Sequence, residues 1–152
     1  MSFFERSKEL PSYYCVTYRV IVLNDPEGSK KIKLRLMNKS EIKHCCIKTS
    51  DLIEMGETCD FVIDRSGSKL KVLLELKGDG NKRKAVSQIN STWNYLRENF
   101  PGEFEAIIAI IVTDKSPTTN LFMKDLLKLK DNCMRNGGAF YDVKSDKDFE
   151  LN

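Results

Sequence analysis

The chain is 152 residues long, 41% hydrophobic and 31% charged, with 25 basic against 22 acidic side chains for a net charge of +3. Those values describe a globular polypeptide able to bury one ordinary core, and they exclude a disordered chain, a repeat array and a long coiled coil. The longest apolar run, Ala106 to Val112, is too short to cross a bilayer, and MSFFERSKEL is charged from Glu5 onward, so a secretory apolar segment is not expected.

No Pro/Gly-rich linker or low-complexity tract interrupts the chain, so a single domain over 1–152 is expected, with residues 143–152 fraying as a polar tail. Tyr13 to Leu23 is aromatic and β-branched and predicts a strand, closed by the turn Asn24-Asp25-Pro26-Glu27-Gly28. Lys31 to Met37 alternates, with Ile32, Leu34 and Leu36 on one face and Lys31, Lys33 and Arg35 on the other. Glu41 to Lys48 predicts a further strand. Asp60 to Asp64 and Leu70 to Lys77 predict a hairpin turning near Gly67 and Ser68. From Lys82 to Asn99 the apolar positions Ala85, Ile89, Trp93, Leu96 and Phe100 trace one helical stripe, ended by Pro101-Gly102. Glu105 to Thr113 is a nearly continuous apolar run, the mark of a strand covered on both faces. Asn120 to Asn136 predicts a second helix stopping at Gly137-Gly138, and Ala139 to Val143 a last short strand. The expected class is a mixed α/β sandwich.

The five cysteines are an odd number without a CxxC pair, and His44 is the only histidine, which leaves few soft ligands for a metal. They read as buried free thiols in a reducing cytoplasm. Chemistry concentrates in the hairpin instead. Side chains alternate along a strand, so Glu75 and Lys77 share one face and Leu74 and Leu76 the other. A turn at Gly67 and Ser68 pairs Asp64 with Lys71 and Asp60 with Glu75. Directly opposed residues have Cβ atoms about 4.5–5.5 Å apart, so two carboxylates at that distance repel unless something positive lies between them. Lys77 and a divalent cation are the two candidates; a hard cation such as Mg²⁺ accepts one or two carboxylates with water and phosphate oxygens. A shift of register by two residues brings Asp64 near Glu75 instead.

The stretch CDFVID, a short hairpin, LLELKG and then a helix carrying KAVSQI resembles the core of the PD-(D/E)XK nuclease superfamily, the restriction-endonuclease-like fold. The match is close over residues 57 to 92 and looser beyond. The resemblance implies a mixed β-sheet flanked by helices and a catalytic centre of Asp60, Glu75 and Lys77, with Gln88 added from the helix. It further implies Mg²⁺ or Mn²⁺ on Asp60, Glu75 and the Leu76 carbonyl, with Lys77 orienting or deprotonating a water. Cys59 stands where the motif has its proline. Glu5, Glu41 or Glu57 could serve as the additional N-terminal acid found in many members.

Basic side chains at Lys69, Lys71, Lys82, Arg83 and Lys84, with Lys31, Lys33 and Arg35, are candidates to track a phosphate backbone. The Gly78-Asp79-Gly80 loop ahead of the helix offers backbone N–H groups to a phosphate. Tyr13, Tyr14 and Tyr18 are candidates to stack on bases, although strand aromatics are more often core, and Asp114 follows the apolar strand as a turn residue or helix cap. The function implied is a metal-dependent endo- or exonuclease hydrolysing phosphodiester bonds in DNA, with RNA not excluded and a homodimer plausible by analogy. The alternative is an inactive nuclease-fold accessory protein that binds nucleic acid or a protein partner.

Overall fold

The apolar alternation of the sequence resolves into two sheets of unequal size with helices on one side. The computed structural model describes residues 1–17, 20–24, 32–38, 42–66, 68–77, 82–113, 120–145 and 148–151. In chain order the elements begin with helix α1 (Phe3–Ser7), strands β1 (Tyr14–Val16), β2 (Val20–Asn24), β3 (Lys33–Asn38) and β4 (His44–Lys48), and helix α2 (Thr49–Leu52). They continue with β5 (Phe61–Arg65), β6 (Lys71–Lys77), α3 (Lys82–Asn99), β7 (Ile107–Thr113), α4 (Asn120–Arg135), β8 (Ala139–Lys144) and β9 (Asp148–Leu151).

The larger sheet runs β1-β4-β5-β6-β7-β8; β1, β4, β5 and β6 are joined antiparallel in that order, and β6, β7 and β8 lie parallel. The smaller is β2-β3-β9. Alternate residues of the large sheet pack in opposite directions. Val62, Leu73, Ala109 and Ile111 meet the α3 stripe of Ala85, Ile89, Trp93 and Leu96. Ile63, Val72, Leu74 and Ile110 meet Ile21, Leu23, Leu34 and Leu36 of the small sheet. The central sheet is therefore covered on both faces, which is why β7 is buried throughout and its sequence shows no period-two alternation.

Helix ends follow local chemistry. Ser2 and Glu5 form a reciprocal capping box on α1, and Phe3 packs edge-on against Phe100 and Phe104. Helix α4 ends with Gly137 at φ +82° and the Gly138 N–H donating to the Cys133 carbonyl at 2.8 Å, a Schellman-type closure. Among the described residues no helix is long and apolar enough to cross a membrane.

Several expectations need correction. Tyr13 to Leu23 is not one strand: β1 pairs with β4 in the large sheet, whereas β2 pairs with β3 in the small one. The polar tail does not fray throughout, because β9 pairs in parallel with β3 and packs Phe149 partly against the core beneath it. Cys15 and Cys45 are not free thiols; they stand opposite one another on β1 and β4 and are joined by a disulfide. Cys46, Cys59 and Cys133 are free and buried.

Candidate active site

The β5–β6 register sets the site. Phe61 pairs with Leu74 and Asp64 with Lys71, so position numbers sum to 135, as the turn predicts. Asp60, one residue ahead of β5, therefore enters opposite Glu75. By alternation Asp60 falls on the helix-facing side with Val62, as Glu75 and Lys77 do with Leu73. Asp60 Oδ2 accepts the Leu76 N–H at 2.8 Å. In an extended strand a residue's N–H and C=O point to the same side, so the Leu76 carbonyl is also directed toward Asp60, past the last ladder pair.

Glu75 is only 2% exposed. Lys77 Nζ lies 3.8 Å from its Oε1, while Oε2 is buried with no hydrogen-bond partner among the described residues. Burial, then the Asp60 carboxylate, push the Glu75 carboxyl up to about 9, against the opposing pull of the Lys77 ammonium. A hydrogen bond with the Asp60 side chain favours the protonated form, and one from the Asp60 backbone favours the ionised form. At neutral pH this carboxyl keeps its proton unless a further positive charge arrives.

Helix α3 holds the segment leading into Asp60. Gln88 Nε2 donates to the Thr58 carbonyl at 3.0 Å, and Gln88 Oε1 is buried without a partner among the described residues. Cys59, at the position of the motif's proline, uses a backbone N–H that proline lacks, donating to Thr92 Oγ1 at 2.8 Å. Of the three further acids, Glu57 accepts a hydrogen bond from Ser87 on α3, adjacent to Gln88. Glu5 is occupied in the α1 cap, and Glu41 lies outside the described residues. His44 is buried on the other face of the sheet beside Arg65; burial and that guanidinium hold its imidazole below the usual range.

The described basic residues lie at several separate places. Lys82 is buried, its Nζ 2.5 Å from Asp142 Oδ2 on β8. Its spacing from Ala85 and Ile89 places it on the apolar stripe, a signal that the charge run Lys82-Arg83-Lys84 hides. Lys71 is paired with Asp64 at 2.8 Å, and Lys71 is four residues, about 13 Å, along β6 from Glu75. Lys69 is exposed at that same distant end. Arg83 faces Asp125 of α4 at 3.6 Å, and Lys84 is exposed near the start of α3. Arg35 pairs with Asp148 on the outside of the small sheet, with the large sheet between it and Glu75. Tyr18, Lys31, Asp114 and the loop 78–81 lie outside the described residues.

The acids fit a sparse hard-cation site. Among the described residues no three His, Cys, Asp or Glu side chains gather as a cage. A cation would rest on Asp60, Glu75 with its partnerless oxygen, the Leu76 carbonyl, and oxygens from water or phosphate, a set that suits Mg²⁺ better than Zn²⁺. Comparison of the chain with family models, with curated proteins and with solved structures found no match.

Proposed function

We propose that the chain is a Mg²⁺- or Mn²⁺-dependent deoxyribonuclease of the PD-(D/E)XK kind, with Asp60 and Glu75 as metal ligands and Lys77 as the catalytic cation. The observation that carries the reading is the buried Glu75 carboxyl, with one oxygen lacking a partner, set against Asp60 and 3.8 Å from Lys77. A chain selected for stability alone gains nothing from burying Glu75 against a second acid, whereas a divalent cation relieves both. When bound, Mg²⁺ supplies polarisation of the scissile phosphate and a water of lowered pKa.

The remaining work falls to the protein. Asp60 and Glu75, with the Leu76 carbonyl, would hold the ion. Lys77, anchored at the end of β6, would orient the attacking water and offset negative charge developing on the phosphate. Gln88, held by Thr58, braces the segment that carries Asp60 and leaves its own carbonyl oxygen for a donor at the site.

The test uses the purified chain with linear duplex, single-stranded and branched DNA in MgCl₂, MnCl₂ or EDTA, beside Glu75→Ala and Lys77→Ala. The expected result is cutting that needs metal and disappears in both variants. Binding without cutting under every metal overturns the enzyme reading and favours the non-cleaving accessory protein.

A further inference from the structure

We infer that Thr92 is a positioning residue for the Asp60 carboxylate, an inference that rests on reading Asp60 and Glu75 as a cation-binding pair. Thr92 is fully buried on α3 and does not touch either acid through any hydrogen bond of its own. Its hydroxyl is committed in two directions: Oγ1 donates to the Gln88 carbonyl at 2.8 Å and accepts the Cys59 N–H at 2.8 Å. A hydroxyl has one proton to give, so these two bonds fix its rotation and aim its lone pair at Cys59.

Cys59 is the residue before Asp60, and Asp60 precedes the first ladder pair of β5, Phe61 with Leu74. Strand pairing therefore does not hold this stretch; side chains and backbone from neighbouring elements do. Gln88 takes the Thr58 carbonyl, Thr92 the Cys59 N–H, and the Thr49 N–H the Asp60 carbonyl at 3.0 Å. Each of three successive residues has its backbone held by one of these bonds, and Thr92 is the clamp nearest Asp60 on the α3 side. Without that oxygen the buried Cys59 N–H must find another acceptor, and the chain turns where the Asp60 side chain departs. The distance between the two carboxylates then changes, and cation affinity changes with it.

Isothermal titration with MgCl₂ across pH 6 to 9 tests this on wild type, Thr92→Val, Thr92→Ser and Thr92→Cys. Valine keeps the volume and removes the acceptor, serine keeps the acceptor, and cysteine offers a poor one. We expect Thr92→Val to bind Mg²⁺ about tenfold more weakly, because the Asp60 carboxylate is displaced from its partner acid. The full loss of affinity should be confined to that variant, while Thr92→Ser stays close to wild type and Thr92→Cys falls between. A purely structural role would lower stability in EDTA without changing the Mg²⁺ affinity of the folded chain. Wild-type Mg²⁺ binding with an unchanged Thr92→Val, or with Thr92→Ser as impaired as the valine variant, overturns the inference alone. Should valine prevent folding, an unimpaired Thr92→Cys overturns it equally. No Mg²⁺ binding by the wild type at any pH overturns the cation reading, and the role of Thr92 with it.

Discussion

Replacing Glu75 with glutamine isolates the cost of keeping a carboxylate inside this fold. The Glu75 carboxyl titrates near 9 in the folded chain, against an ordinary value of 4.5 when exposed. The folded state thus binds the proton more tightly than the unfolded state, so stability is complete below 4.5 and falls as pH rises toward 9. Between pH 5 and pH 8 the loss amounts to about 4 kcal/mol, at 1.36 kcal/mol for each unit of unequal titration. Glutamine has the shape of the protonated acid and an amide that can donate to Asp60, so the variant should lack this slope. Urea unfolding in EDTA at pH 5, 6, 7 and 8 should show wild type weakening relative to Glu75→Gln by a few kcal/mol across the series. MgCl₂ should flatten the wild-type slope and leave the variant unchanged. Parallel pH profiles for the two proteins, or a wild type that strengthens as pH rises relative to the variant, would refute the reasoning.

Other expectations concern the scaffold. Reduction with dithiothreitol, or Cys15→Ser, should lower unfolding stability by about 3–4 kcal/mol, the chain-entropy value for a closed loop of 30 residues, read from urea curves with and without reductant. Asp142→Asn strands the Lys82 ammonium, 4% exposed, and should cost about 3–5 kcal/mol; Lys82→Met leaves an aspartate 26% exposed that can rehydrate and should cost less. Denaturation of both variants decides the order, and an equal or reversed cost would refute it. Gly138→Ala places a Cβ 1.8 Å from the Ile107 carbonyl oxygen and should cost more than about 3 kcal/mol, seen as a large drop in Tm.

How far the sequence could be read depended on whether the deciding contact was local. Helix α3 matches its apolar stripe because a 3.6-residue period lies within the segment itself, and the β5–β6 register follows from one short turn. The same two local features bring Asp60, Glu75 and Lys77 together. Long-range features were not legible. Nothing in the letters near Asp148 shows that β9 will pair with β3, and cysteine spacing does not encode that Cys15 faces Cys45. Tyr13 to Leu23 has unbroken strand propensity, yet its two halves serve different sheets. Lys82 was misplaced for another reason: its charge suggested water, while its place in the helical period put it inside with Asp142. Helix α1 did leave a local trace, since Ser2 followed by Glu5 is a capping-box spacing.

The parallel pairing of β3 with β9 places a timing constraint on biogenesis. Arg35 lies beside Asp148, so 113 residues (148 − 35) separate the two partners. At synthesis rates of about 5–20 residues per second, β3 waits roughly 6–23 s on the ribosome for this neighbour. Throughout that interval one edge of β3 offers unsatisfied backbone groups to any extended nascent segment nearby, a window in which chaperone capture competes with aggregation.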